Sequence, residues 1–101
     1  YSFGTPRVGN AAFSMFVSNI TKSKTQRITH KRDPVPHLPM EVMGFVHSTH
    51  ESWYDNDGDS QWKNCNDYPG HEDPDCSDSV LAVDVLDHLH YLGRSTECNM
   101  N

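Results

Sequence analysis

The sequence predicts an α/β fold in which a mainly parallel sheet is flanked by helices. Two β-prone segments, "YSF" at residues 1–3 and "RITH" at residues 27–30, stand on either side of one amphipathic helix. This order is typical of a βαβ unit, whose two strands are parallel neighbours in one sheet. Because open α/β sheets carry their chemistry at the carboxyl ends of the strands, the residues that follow position 30 are of most interest.

The first strand pattern begins at Tyr1 and runs directly into the turn sequence "GTPRVGN". We therefore expect residue 1 to lie inside a longer polypeptide. Asn10 is a good helix N-cap, and apolar residues then recur at helical spacing and form one apolar face: Ala12, Phe13, Phe16, Val17 and Ile20. These features predict a helix of about ten residues that ends in the polar stretch "TKSKTQ".

The second strand leads into "HKRDPVPHLP" at residues 30–39, where a single carboxylate, Asp33, precedes a cluster of prolines. Each proline fixes its own φ angle and disfavours a helical conformation in the residue before it. We therefore expect a stiff loop with extended backbone at Asp33, Val35 and Leu38.

The stretch "GFVHSTHESWY" at residues 44–54 predicts a further strand. Residues 55–79 are rich in Asp, Asn, Gly and Pro and predict an acidic excursion on the surface. Cys65 and Cys76 lie in this segment, and a disulfide across that spacing stabilises a chain by roughly 3 kcal/mol. We predict that they pair. Cys98 then makes the cysteine count odd, which suggests a partner elsewhere.

Composition excludes several classes of protein. The chain has 101 residues, at most one domain, and its net charge of −6 comes without any run of Lys or Arg, so we set nucleic-acid binding aside. No apolar run approaches the ~20 residues of a membrane span, and the first residues do not resemble a signal peptide. We expect a soluble chain whose secretion signal, if any, has been removed. Asn19-Ile20-Thr21 is a glycosylation sequon in a secretory context.

Two residues invite a catalytic interpretation together. His88 lies in "DVLDHLHYLG", among Val85, Leu86 and Leu89, where Asp87 is positioned to cap a short helix. By itself, His88 is most simply the polar edge of a helix, and Asp33 beside two basic residues is most simply a surface charge. In chain order, however, they match the last two members of a Ser, Asp, His triad.

The nucleophile of such a triad is not found in this sequence. A nucleophile elbow requires G-x-S-x-G, and although Ser60 and Ser95 each have a glycine two positions earlier, Trp62 and Glu97 stand where the second glycine is needed. Either the triad hypothesis is wrong, or the serine lies upstream of Tyr1.

Several blocks together resemble one family. "YSFGTPRVGNAAF", "RITHKRDPVPHLP", "GFVHSTHESWY" and "DHLHYLG" are similar to the C-terminal third of the class 3 lipases, the fungal secreted triacylglycerol lipases. The resemblance implies that residues 1–101 are the C-terminal part of a single α/β-hydrolase domain, incomplete on its own and inactive alone. It implies that Asp33 is the triad acid and His88 the base. The serine, lid and oxyanion hole would belong to an N-terminal portion of the same secreted, extracellular lipase.

The resemblance also bears on the cysteines and the substrate. It implies a Cys65–Cys76 pair and a bond from Cys98 to a cysteine off this chain. An acyl-chain surface is expected at seven apolar residues, for which core packing is the alternative: Val35, Leu38, Met43, Phe45, Val85, Leu86 and Leu89. This aliphatic set favours a lipase acting on lipid at an oil–water interface over the related feruloyl esterases. No cofactor is implied.

Other readings are a metal module and a non-catalytic, disulfide-stabilised binding module. A metal module would be built from Asp55, Asp57 and Asp59, or from His47 and His50, with His88 and His90 as another pair. The three aspartates do not follow EF-hand spacing, because Gly58 comes fourth where glycine is needed sixth. The cysteines lack the C-x-x-C spacing of zinc sites, and we predict no metal. A binding module would leave the settings of Asp33 and His88 as coincidence. Surface or packing roles are expected for the remaining histidines and for three aromatic residues: His30, His37, His47, His50, His71, Trp53, Tyr54 and Trp62.

Overall fold

The computed structural model describes residues 1–56 and 61–98. Its regular elements, in chain order, are β1 (Ser2–Phe3), α1 (Ala11–Ile20), β2 (Arg27–His30), β3 (Glu51–Tyr54), β4 (Lys63–Asn64), β5 (His90–Tyr91) and β6 (Arg94–Ser95). Short 3₁₀ helices lie at Val35–His37, Glu41–Met43, Ser77–Ser79 and Val85–His88. No helix in these ranges is long and apolar enough to cross a membrane.

The main sheet has the strand order β1-β2-β3-β4. The strands β1 and β2 are parallel, with Ser2 opposite Arg27, and β2 and β3 are also parallel, with Arg27 opposite Glu51. Only β4 runs antiparallel to its neighbour. The predicted βαβ unit is therefore present, and the ends of β1 and β2 point to the same edge of the sheet.

The third strand is shorter than predicted, because only Glu51–Tyr54 of residues 44–54 pairs with β2. His50, immediately before it, has a φ of +69°, which is incompatible with continuous extended backbone. The preceding residues are held by side chains instead of a strand ladder, since Arg27 Nε donates to Ser48 O at 2.8 Å. Val46 makes an isolated bridge to Gly9.

The helix α1 begins as predicted, with Asn10 Oδ1 accepting a hydrogen bond from Phe13 N at 3.0 Å. It packs through small polar residues on the segment that leads into β3. Ser14 Oγ donates to His47 O at 2.8 Å, and Ser18 Oγ lies 3.2 Å from Thr49 Oγ1. Much of the apolar face, including Phe13, Phe16 and Ile20, is exposed in the described part of the chain.

The prediction that residues 55–79 form only a surface excursion is wrong for several of their carboxylates. Glu72 and Asp73 are turned inward, and Glu72 forms an ion pair with the buried Arg7 at 2.8 Å. A buried guanidinium is costly unless an anion accompanies it, so Arg7 draws this loop onto the protein. The predicted Cys65–Cys76 disulfide is present and ties the same loop together, with Cys76 fully buried.

Candidate active site

Asp33 lies just beyond the carboxyl end of β2 and is only 2% exposed. The chain leaves the strand through Lys31, whose φ is +43°, and Asp33 N donates to His30 O at 3.0 Å. This turn directs the Asp33 side chain inward while Arg32 remains exposed. The interpretation of Asp33 as a solvated surface charge is therefore wrong.

The proline-rich loop is more tightly folded than predicted. Val35 is not extended but begins a 3₁₀ helix, Val35–His37, which follows Pro34 in a helical conformation. Asp33 Oδ1 accepts a hydrogen bond from Val35 N at 2.8 Å and closes the turn. This local bond overrides the preference of Val35, which precedes Pro36, for an extended backbone. Leu38 is extended, as predicted, with φ −114° and ψ 144°.

His88 is the last residue of the short helix Val85–His88. Its cap is Asp84, whose Oδ1 accepts from Leu86 N at 3.0 Å, and not Asp87 as predicted. Asp87 instead points to the loop after β2 and accepts a hydrogen bond from Arg32 N at 3.0 Å. That contact explains its burial, since it joins the segment carrying His88 to the loop carrying Asp33.

The two predicted residues face each other. His88 Nδ1 lies 2.9 Å from Asp33 Oδ2, and because a carboxylate only accepts, Nδ1 carries the proton in this contact. The acid is almost fully buried, with a side-chain exposure of 1%, while the His88 side chain is 36% exposed. Within the described residues Nε2 makes no hydrogen bond, so the ring is held by one nitrogen and can receive a proton at the other.

Two residues that the sequence reasoning missed complete the surroundings of Asp33. The Tyr91 phenol, on β5, donates to Asp33 Oδ2 at 2.5 Å. Burial, followed by the contact with Asp33, raises the pKa of Tyr91, so the phenol stays protonated as a donor. Gly4 has a φ of +58°, and a Cβ there would lie 2.6 Å from Asp33 Oδ2. Tyr91 lies in the quoted "DHLHYLG" block, but no spacing rule marks it as a partner of Asp33.

The apolar residues predicted to contact an acyl chain are mostly on the surface. Leu38, Met43, Val85 and Leu86 are exposed, whereas Val35, Phe45 and Leu89 are half-buried. Met43 and Phe45 line a cleft with Val8 and Phe13. Asn19 of the sequon is exposed in the last turn of α1.

The metal alternative finds little support in the described residues. Asp57 and Asp59 lie outside them. His47 is buried and its Nε2 is 2.6 Å from Pro36 O. Carboxylate oxygens of Glu41, Glu72 and Asp78 come within 4.8 Å of one another, but Arg7 already supplies the positive charge between them.

The chain was compared with known proteins. The sequence profile of the family described as lipase (class 3) matches residues 1–43. A lipase of Rhizopus niveus is 41% identical over 92 residues, which are 90% of this chain and 22% of that protein. A secreted mono- and diacylglycerol lipase of Fusarium solani is 36% identical over 104 residues, covering 97% of this chain and 30% of the relative.

Solved structures agree with the sequence matches. One of them, a triacylglycerol lipase described as having a catalytic centre formed by a serine protease triad, superimposes with a TM-score of 0.80 at 36% identity. The match covers 95% of this chain and 36% of that one. The chain therefore belongs to the class 3 lipases and has the α/β-hydrolase fold. It spans between a fifth and a third of the length of these curated relatives.

Proposed function

We propose that this chain supplies the acid and the base of a Ser-His-Asp triad that hydrolyses carboxylic esters, with triacylglycerols as the substrate class. The observation that carries the proposal is the 2.9 Å contact between His88 Nδ1 and Asp33 Oδ2, in which the acid is buried and the ring is partly open. A solvated surface pair would not need a carboxylate that is only 1% exposed.

In this mechanism Asp33 remains ionised throughout. It accepts the Nδ1 proton, fixes the tautomer of His88 and stabilises the imidazolium that forms during the reaction. The Nε2 atom of His88 takes the proton of the attacking serine and then returns it to the leaving alcohol. The Val35 N and Tyr91 OH bonds hold the carboxylate in place, so neither of its oxygens needs to reorganise during turnover.

The nucleophile is assigned to an N-terminal portion of the same domain, not to residues 1–101. Two observations support this division: the relatives are several times longer than the chain, and the apolar face of α1 around Phe13 and Phe16 is largely exposed among the described residues. The chain alone should therefore be inactive. Cys98 is exposed and unpaired within the described ranges, and we assign it to a disulfide with that portion, testable by non-reducing peptide mapping.

The preference for lipid rests on exposed aliphatic residues in the helix that ends at His88 and shortly before that helix in the chain. Leu81 is fully exposed, and Val85 and Leu86 lie in the helix that ends at His88. Such a patch is unfavourable in water and favourable against acyl chains. An extracellular location agrees with the Cys65–Cys76 disulfide, which forms in oxidising compartments, and with the secreted relative.

The experiment uses the intact enzyme with single substitutions of the two residues. Asp33→Asn and His88→Ala should each lower kcat for a soluble p-nitrophenyl ester by ~10³-fold or more, because the wrong tautomer or the missing base stops proton transfer. His90→Ala is the matched control, since His90 is two residues from His88 and does not touch Asp33. Wild-type turnover in a folded Asp33→Asn or His88→Ala enzyme would contradict the proposed triad.

A further inference from the structure

The loop that follows Asp33 is held in place by hydrogen bonds that other residues donate to its backbone carbonyls. Arg7 supplies three of these contacts: its main-chain N–H donates to Leu38 O at 2.8 Å, and its Nη1 donates to His37 O at 2.6 Å and to Pro39 O at 3.1 Å. A loop interrupted by prolines has few N–H groups of its own with which to form a regular ladder. Its position is therefore set by donors from elsewhere in the chain.

His47 holds the remaining carbonyl of residues 36–39. Its Nε2 lies 2.6 Å from Pro36 O, and because a carbonyl only accepts, this nitrogen carries the proton. Burial lowers the pKa of His47 to about 4, so the ring is neutral at ordinary pH. Each carbonyl from Pro36 to Pro39 thus accepts a hydrogen bond from either Arg7 or His47.

The Arg7 guanidinium is fully occupied. Its Nε donates to Glu72 Oε2 at 2.8 Å, and Nη2 donates to Glu72 Oε1 at 2.9 Å and to Asp78 Oδ1 at 3.1 Å. With the two bonds from Nη1, all five N–H donors of the group have acceptors. Lysine has only three donors and no planar fork, so it cannot reproduce this arrangement.

The carbonyls that Arg7 and His47 bind belong to residues 36–39, which follow Asp33 closely in the chain. Asp33 is followed by Pro34 and one 3₁₀ turn, Val35–His37, whose first N–H is bound by Asp33 Oδ1. A shift of residues 36–39 therefore moves the turn to which the Asp33 side chain is bonded. The opposite side of Asp33 is fixed by the end of β2, through Asp33 N to His30 O.

We propose that Arg7 is a positioning residue for catalysis: together with His47 it fixes residues 36–39 and, through them, the orientation of the Asp33 carboxylate toward His88. This inference rests on the proposed triad. Arg7 itself makes no hydrogen bond or ion pair with Asp33 or His88, and it acts through the backbone of the loop.

The test uses the intact enzyme with Arg7→Lys and, as a matched control, Arg27→Lys. Arg27 is as buried as Arg7, but its Nε bonds Ser48 O and not the loop. For a soluble ester, Arg7→Lys should lower kcat at least ten-fold with KM within two-fold of wild type, whereas Arg27→Lys should keep kcat within two-fold. The downfield proton NMR signal of the Asp33-bound ring N–H of His88 should shift or broaden only in Arg7→Lys.

If Arg7→Lys does not fold, His47→Phe decides the question, because it keeps a planar ring but removes the N–H that binds Pro36 O, and it should also lower kcat without raising KM. A folded Arg7→Lys with wild-type kcat and an unchanged ring signal overturns the inference, as does an equal loss in both arginine variants. If Asp33→Asn is inactive in the same experiment, such a result overturns only the role of Arg7 and leaves the proposed triad standing. An active Asp33→Asn would overturn the proposed function and the inference with it.

Discussion

The Tyr91 hydroxyl and the His88 ring share one oxygen of Asp33. Tyr91 OH donates to Asp33 Oδ2 at 2.5 Å, the atom that also lies 2.9 Å from His88 Nδ1. Tyr91 is itself held in a buried position, with its ring 5.5 Å from that of His30. The carboxylate is therefore fixed by a donor whose own place is set by packing.

Replacing Tyr91 by phenylalanine should test what that shared oxygen contributes. Tyr91→Phe removes a charge-assisted hydrogen bond and keeps the ring packing, so we expect a loss of about 1.5–3 kcal/mol in the free energy of unfolding and a roughly ten-fold lower kcat. Urea unfolding and steady-state kinetics on a soluble ester measure both in the intact enzyme. Tyr68→Phe, at an exposed tyrosine, is the control and should change neither quantity.

Gly4 should be intolerant of any side chain because of where its Cβ would fall. In Gly4→Ala the new methyl carbon would lie 2.5 Å from Tyr91 OH and 2.6 Å from Asp33 Oδ2, in addition to the strain of a φ of +58°. Gly44→Ala also places a side chain at a positive φ, +89°, but has no atom within 4 Å of the added carbon.

We expect Gly44→Ala to cost about 1–2 kcal/mol of stability and leave kcat unchanged. Gly4→Ala should cost more and also lower kcat by at least ten-fold, measured by the same assays in the intact enzyme. Equal effects of the two substitutions would mean that backbone strain alone explains both.

The buried cluster around Arg7 should make stability depend on pH through Asp78. Burial, and then the neighbouring Glu72, raise the pKa of Asp78 from 3.8 to about 8. Arg7 acts to lower this pKa, and Glu41 acts to raise it further. His37 Nδ1 lies 4.0 Å from Asp78 Oδ1. Burial acts to raise the pKa of Glu72, but hydrogen bonds from Arg7, from His47 N and from the Asp78 side chain outweigh it and lower this pKa to about 2. Glu72 is therefore the ionised partner of Arg7.

The direction of this pH dependence is set by the number of protons that Asp78 binds in the folded and in the unfolded chain. Between pH 4 and pH 8 the folded chain holds a proton on Asp78 that the unfolded chain has lost, so this group's contribution to stability falls as pH rises through that window. Asp78→Asn has no such proton, and its amide can still donate to Glu72 and accept from Arg7. Thermal unfolding of the intact enzyme gives the free energy of unfolding at each pH. From pH 5 to pH 8, this free energy should rise in Asp78→Asn relative to wild type by at least about 1 kcal/mol. A constant difference across that range would falsify the assignment of the proton to Asp78.

The exposed aliphatic residues in the helix that ends at His88, and Leu81 shortly before that helix in the chain, should matter for lipid surfaces and not for chemistry. Leu81→Asp places a charge on a fully exposed side chain, so it should leave stability and the hydrolysis of a dissolved ester unchanged. On an emulsified triacylglycerol the rate should fall several-fold, because a charged group resists contact with the oil phase. Equal rates on the emulsion for Leu81→Asp and wild type would remove this surface from the lipid interface.

The sequence by itself determined the local features of the chain. The Asn10 cap and the Cys65–Cys76 pair could be predicted because each joins residues at most eleven positions apart, and the strand, helix, strand order because each of its elements has its own local pattern. Asp33 and His88 were also singled out from the sequence, through their immediate neighbours and their order along the chain.

Only the tertiary structure decided how those residues are used. Asp33 is joined to His88 across 55 positions and to Tyr91 across 58, and Arg7 reaches Glu72 across 65. Sequence periodicity contains no information about such pairings, so the inward turn of the acidic loop, the outward apolar face of α1 and the role of Gly4 could not be predicted. They follow from the need of each buried charge for a partner, which is met wherever the folded backbone brings one within hydrogen-bond distance.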